Sequence, residues 1–280
     1  MRFLIFGAGG MLGHDLVNAF SDEDIFVADL PEWDITADYE TLKNKISEVK
    51  PEVIINAADF TDVDGAEEKK DICFKVNAEA VTSLSKICKE LDILLVHIST
   101  EYVFDGLKQE GYNEEDVTKA INIYGQSKEQ GEKNLIENGD KYYLVRSSWL
   151  FGKAPQQGKP RGLNFIEKMI ELSKTQSSIN VVNDQFGKPT FTKDLAHGIK
   201  ELIKAKKEYG IYHIINEGSV SWHDLAKETF KLMGLEVDLK PISYKEYDSQ
   251  IERPTNSVLN NNKLNKLRTW QEALAEYIKL

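Results

Sequence analysis

Cysteine is almost missing from this sequence: two residues, Cys73 and Cys88, in a chain of 280. They stand fifteen positions apart with no His or Cys beside them. A disulfide framework and a thiolate zinc site are therefore excluded, and both are expected to be small reduced apolar residues in helices. His97, His197, His213 and His223 also lack ligand spacing, so no metal is expected. Long apolar runs are absent too. The first, Phe3–Phe6, is too short for a signal peptide, and none approaches the roughly 20 residues needed to cross a bilayer. The chain thus reads as cytoplasmic, with no membrane partner. Positive charge is in deficit, 35 Lys plus Arg against 46 Asp plus Glu, for a net charge of −11. Such a surface has no global field to attract nucleic acid or anionic lipid, and an anionic substrate would need a local basic pocket. What remains is ordinary globular composition, 41% apolar and 29% charged. A chain of this length buries about three quarters of its surface on folding without help from staples.

The first half alternates apolar strand-like runs with amphipathic stretches. Strands are expected at Phe3–Phe6, Ile25–Ala28, Val53–Asn56, Ile93–Ile98 and Tyr143–Arg146, with helices at about 12–20, 38–48, 66–91 and 124–138. Unbroken apolar strands alternating with helices predict an α/β fold, a doubly wound parallel sheet of Rossmann type. Its ligands bind beyond the carboxyl ends of the strands. After Gly152 the pattern loosens. Lys153–Gly162 is rich in turn formers, carries three positive charges and reads as a surface loop. Helices are expected at Phe165–Ser173, Lys193–Lys204, about 222–233 with Ser221 as N-cap, and Trp270–Ile278; strands at Ile179–Val182 and Ile211–Ile215. The second half has too few strands for a sheet of its own. We expect a dinucleotide-binding domain from 1–149 plus roughly 190–216, and a smaller C-terminal substrate lobe from 150–189 and 217–280.

Gly7-Ala8-Gly9-Gly10-Met11-Leu12-Gly13 follows the first strand and opens the first helix. Glycines at 7, 10 and 13 permit a tight turn, close approach of a pyrophosphate and close helix–strand packing, while the amides around Met11 and Leu12 face the phosphates. The second strand ends at Asp29, sixteen residues after Gly13. A carboxylate there can accept hydrogen bonds from the adenosine ribose and would repel a 2′-phosphate. With no Arg or Lys close behind it, Asp29 argues for NADH, with NADPH kept open. Asp34 and Ile35 either flank the adenine or belong to a helix cap.

The strand through His97 ends in Ser99-Thr100-Glu101-Tyr102, which puts hydroxyls at the carboxyl edge of the sheet. Tyr124-Gly125-Gln126-Ser127-Lys128 opens a later helix, where i, i+4 spacing sets Tyr124 and Lys128 on one face. Ketone reduction by hydride transfer needs a proton for the developing alkoxide, and a phenol with a pKa near ~10 holds its proton too tightly to cycle at neutral pH. A cation about 4 Å away is worth roughly 4 kcal/mol at an effective dielectric near 20. Lys128 is therefore expected to draw the Tyr124 phenol down toward neutrality.

These segments resemble the extended short-chain dehydrogenases/reductases and, among them, the dTDP-4-dehydrorhamnose reductase family. The resemblance covers nearly the whole chain. The glycine turn, Asn56-Ala57-Ala58 with Thr61, Val63 and Asp64, and Lys75-Val76-Asn77-Ala78 are shared by many sugar-nucleotide enzymes. His97–Gly106, Arg146–Gly152, Asn164-Phe165, Asp184–Thr190 and Arg253-Pro254-x-Asn256-Ser257 are more particular to the reductases. The resemblance implies reduction of the 4-keto group of a nucleotide-linked 6-deoxyhexose, dTDP-4-dehydro-L-rhamnose to dTDP-L-rhamnose. Tyr124 would give the proton, Lys128 would hold the nicotinamide ribose, and Thr100 would hydrogen-bond the reacting oxygen. Ala57, Ala58, Asn77 and Ser99 would line the cofactor. Glu101, Tyr102, Trp149 and Asn164 would face the sugar, and Arg253 the diphosphate. A homodimer is compatible with this reading. The alternatives are another sugar-nucleotide reductase or epimerase, and a non-catalytic dinucleotide-binding regulatory subunit. Four departures stand out: Glu101 where the family has Asp, Asp59 where it has a small apolar residue, Ala120 where proline is common, and a longer 153–162 loop.

Overall fold

Four of the five early strands are buried along nearly their whole length, because each is mostly apolar and covered on both faces. The computed structural model describes residues 1–157, 162–247, 249 and 251–280. Its first half runs β1 (Arg2–Phe6), α1 (Met11–Ala19), β2 (Asp24–Ala28), α2 (Tyr39–Val49), β3 (Val53–Asn56), α3 (Val63–Ala66), α4 (Lys70–Phe74), a π-helical turn (Lys75–Glu79), α5 (Ala80–Glu90), β4 (Leu94–Thr100), α6 (Ile123–Asn138) and β5 (Tyr142–Ser147). Then come β6 (Leu150–Phe151), α7 (Phe165–Ser173), β7 (Ser178–Val182), β8 (Phe186–Gly187), β9 (Thr190–Phe191), α8 (Thr192–Lys204), β10 (Gly210–His213), β11 (Val220–Ser221), α9 (Trp222–Met233), β12 (Asp238–Ile242) and α10 (Trp270–Lys279).

Six strands form one parallel sheet in the order β2-β1-β3-β4-β5-β10. The chain steps outward from β1 to β2 and then returns to the other side of β1 as β3. The switch point of the doubly wound fold therefore opens between the carboxyl ends of β1 and β3. Alternate residues of each strand supply two cores. Phe3, Ile5, Ile55, Val96 and Val145 pack under α1 and α8, with Leu16, Leu195 and Ile199. Leu4, Phe6, Ile54, Leu95 and Leu144 pack under α2, α5 and α6, with Leu42, Ile46, Leu84 and Leu135. Each such side chain contributes roughly 1.5–3 kcal/mol by leaving water.

The C-terminal lobe has its own core, in which Phe151, Phe191, Leu225, Trp270, Leu274 and Tyr277 meet. Among the described residues its strands make two-stranded ladders, β6–β9, β7–β12 and β8–β11. Polar residues start its helices. Asn164 pairs with Glu167 and Thr269 with Glu272 in capping boxes, and the Ser221 side chain accepts the Asp224 N–H.

Two expectations need correction. The single helix expected over 66–91 is broken into α3, α4, the π turn and α5. Asp62 caps α3 by accepting the Gly65 N–H, and the buried Asn77 in the π turn binds the backbone of Phe60 on both sides, at 2.9 and 3.2 Å. Both bonds are made by the Asn77 side-chain amide. The strand expected to reach Ile215 ends at His213. Of the expected loop, Gly158–Arg161 lies outside the described residues, as do Asp248 and Gln250.

Candidate active site

At the end of β1 the chain turns through Gly7 at φ +74°, where a Cβ would come within 2.7 Å of the Ala57 and Ala58 backbone. Only glycine allows that approach. Gly13 is required just as strictly, since its Cβ would lie 2.0 Å from the Gly7 carbonyl oxygen. Gly10 is the N-cap of α1 and carries no side chain to take up the first N–H groups, so the amides of the Met11–Leu12 turn remain available to an anion. This is a cradle that a dinucleotide's pyrophosphate fits, floored by Gly7 and walled by Ala57 and Ala58. At its outer rim the Asp29 Oδ2 accepts the Gly9 N–H at 2.6 Å, so the strand-end carboxylate does border the turn. Asp34 makes a local turn, its Oδ1 accepting from the Thr36 amide and hydroxyl, both at 2.8 Å, and Ile35 is buried in the sheet core. Gln157 escaped notice in the sequence: it donates to the Gly9 carbonyl at 2.8 Å while its own carbonyl accepts from Thr61 at 3.3 Å.

The chain leaves Ala58 directly into Asp59, and there the two halves of the site join. Asp59 Oδ2 accepts the Tyr124 phenol at 3.2 Å and lies 3.4 Å from Lys128 Nζ. Lys128, 1% exposed, also donates to the Ile98 carbonyl at 2.8 Å, at the carboxyl edge of β4. Asn122 starts α6 by accepting the Gly125 N–H at 2.8 Å, and that cap sets the first turn carrying Tyr124. The expected effect on the phenol is not what the structure shows. Tyr124 is held well above the ordinary tyrosine range, first by burial, then by the negative charges of Asp59 and Glu101, with the Thr100 hydroxyl working the other way. Asp59 lies 3.4 Å from the ammonium, and its negative charge opposes loss of the phenolic proton. Burial in turn pushes the Asp59 carboxyl up, against Lys128.

Thr100 donates to Glu101 Oε2 at 2.8 Å, and the Tyr102 ring meets Tyr124 edge-on at 5.5 Å. Ser99 and Asn77, expected to line the cofactor, are used by the protein. The Ser99 hydroxyl donates to Glu132 Oε1 at 2.6 Å, and Asn77 holds Phe60 and, at 3.0 Å, Ser127. Glu132 on α6 also grips Arg146 of β5 through two bonds of 2.9 and 2.6 Å, a fully buried pair that locks α6 to the sheet. On the lobe side, Trp149, at φ +47°, stacks on Trp222 with ring centroids 3.4 Å apart. Arg253 binds the Asp64 carboxylate across the two lobes and donates to Tyr244 at 3.1 Å and Ser249 at 2.9 Å. Asn164, expected to face the sugar, is engaged with the framework in this structure. It is 2% exposed, its oxygen caps α7, and its amide donates to the Gly152 carbonyl and the Tyr277 hydroxyl.

Known proteins place this geometry in company. The model of the family described as RmlD substrate binding domain matches residues 1–280. A dTDP-4-dehydrorhamnose reductase of Aggregatibacter actinomycetemcomitans is 34% identical, over 98% of this chain and 97% of that one. A dTDP-4-keto-6-deoxy-D-glucose reductase of Streptomyces niveus is 34% identical, over 98% of this chain and 96% of its own length. Among solved structures, a dTDP-4-dehydrorhamnose reductase of Bacillus anthracis in complex with NADP superposes with a TM-score of 0.92 at 36% identity, covering 99% of this chain and 98% of that one.

Proposed function

Because the chain belongs to the RmlD substrate binding domain family, that of the dTDP-4-dehydrorhamnose reductases, we propose that it reduces the 4-keto group of a nucleotide-linked 6-deoxyhexose, dTDP-4-dehydro-L-rhamnose to dTDP-L-rhamnose, at the expense of a reduced nicotinamide dinucleotide. The observation that carries this reading is the meeting of Tyr124 and Lys128 on Asp59, the residue that directly follows the Ala57-Ala58 wall of the glycine cradle. Cofactor cradle and proton donor are one crevice.

A reduced nicotinamide dinucleotide, held by the Gly7–Gly13 turn against Ala57 and Ala58, would supply the hydride. The chain's own residues supply the rest. Tyr124 gives its phenolic proton to the oxygen, a positioned acid being worth about 10²–10⁴-fold in rate. Lys128 has three donors; one is fixed on the Ile98 carbonyl and one is directed at Asp59, which leaves the third for a ribose hydroxyl. Thr100 and Glu101, hydrogen-bonded to each other, wall the carbonyl side, and Trp149 is braced by Trp222 to carry the hexose. Arg253 would exchange Asp64 for the substrate's diphosphate and so draw the lobes together, giving the acidic surface its local positive pocket. Asp29 favours NADH, although the Bacillus anthracis relative is known with NADP. A cytoplasmic setting suits such a reaction, and no helix among the described residues is long and apolar enough to cross a membrane.

The test is a panel of 4-keto sugar nucleotides, varied in sugar and in base, read as NADH consumption. Turnover confined to a thymidine-linked 4-keto-6-deoxy sugar is the expected result. No consumption with any member, or protein purified with stoichiometric tightly held NAD, contradicts a reductase and favours the epimerase reading.

A further inference from the structure

Three ionisable groups, not two, meet at the site, and they differ in their access to water. Lys128 is 1% exposed and Tyr124 7%, while the Asp59 side chain keeps 18%. Asp59 Oδ2 touches both partners, and Oδ1 is buried with no hydrogen-bond partner among the described residues. Once Tyr124 has given up its proton, its phenolate would stand 3.2 Å from a carboxylate, with a single ammonium between the two anions. That arrangement is costly in a buried site, so one of the two anions must carry a proton.

We propose that Asp59 is the proton store of this site: it enters turnover as the neutral acid, restocks Tyr124 after the phenol has protonated the sugar oxygen, and is itself refilled from water. The proposal rests on the reductase reading above and adds to it how the acid is recharged. The steps balance. Tyr124–OH passes its proton to the alkoxide and becomes phenolate. The Asp59 carboxylic acid passes its proton to that phenolate, leaving Tyr124–OH and a carboxylate paired with Lys128. A solvent proton then returns to the carboxylate, whose side chain keeps 18% of its exposure. Asp59 acts through Tyr124, not on the substrate.

The groups that face the trio set the sign of its pH dependence. Tyr124 and Lys128 come from α6, Thr100 and Glu101 from the end of β4, Cys73 from α4 and Asn77 from the π turn, with Glu67 acting on Cys73 from the end of α3. Burial is the largest influence on the Asp59 carboxyl and raises it, so its proton is lost above the ordinary carboxylate range, and the reaction should slow as pH rises through that loss.

The experiment measures the pH profile of kcat for wild type, Asp59→Asn and Asp59→Ala. It also measures proton uptake on NADH binding, by calorimetry in two buffers of different ionisation enthalpy. Wild type is expected to slow with rising pH along a one-proton limb and to take up part of a proton as NADH covers the crevice. Both variants should lose at least about tenfold in kcat, lack that limb and bind NADH without proton uptake. Variants that keep the wild-type limb and uptake overturn the proposal. Failure of wild type to turn over any sugar would refute the reductase reading alone, and the calorimetric comparison would still decide whether Asp59 holds the proton.

Discussion

Asp29 already accepts a hydrogen bond from Gly9, so a cofactor reaching the rim of the cradle meets a carboxylate fixed in place by the turn itself. On the proposed reading a ribose hydroxyl would donate to it, whereas a 2′-phosphate would be repelled. Replacing Asp29 with Ala should therefore lower the NADH-to-NADPH ratio of kcat/KM by about tenfold, the equivalent of roughly 1.4 kcal/mol. An unchanged ratio would mean that the adenosine ribose binds elsewhere. At this scale the sequence was readable wherever contact follows from local spacing. Tyr124 and Lys128 sit one helical turn apart, and the glycines follow the first strand directly. Asp59 was visible only as an unusual residue, because its contact with Tyr124 spans 65 positions and no local pattern encodes it. Asn164 does carry a local signal: Asn-x-x-Glu before an apolar helix is a capping signature, and the capping box is formed.

Helix α6 delivers Tyr124 and Lys128, and its position against the sheet depends on Glu132. That carboxylate takes two bonds from Arg146 of β5 and one from Ser99 of β4, all buried. Removing one partner of such a pair leaves an uncompensated charge inside the protein, which costs about 3–5 kcal/mol. Glu132→Ala should accordingly lower the urea midpoint by that amount of stability and reduce turnover as α6 loosens. A loss under about 1 kcal/mol would show that the helix is held by its apolar contacts alone. The six strands of the main sheet and the long helices followed from periodicity and caps, whereas the short paired strands β6, β8, β9 and β11 and the exposed β12 carry too little apolar pattern to be read. Another departure is 66–91, where amphipathic spacing continues through a region that the structure breaks into separate turns, with the Asn77 side chain holding Phe60 next to Asp59. Periodicity reports which face is apolar and is blind to such a clamp.

For the whole molecule, the sheet order β2-β1-β3-β4-β5-β10 does the decisive work. It opens a crevice between β1 and β3 for the dinucleotide and places the end of β4, with α6 above it, on the next strand over. The cradle and the Tyr124–Lys128 pair are thereby joined through four consecutive residues, Asn56 to Asp59. The C-terminal lobe closes the other side through Arg253 and Asp64. If one crevice serves both purposes, binding and chemistry should come apart on removal of a single oxygen atom. The direct measurement is Tyr124→Phe against wild type, with NADH affinity followed by fluorescence and NADH consumption followed with the thymidine-linked 4-keto-6-deoxy sugar. NADH affinity within about twofold of wild type, together with turnover down at least about a hundredfold, is the predicted result. Full turnover in the variant would contradict the account.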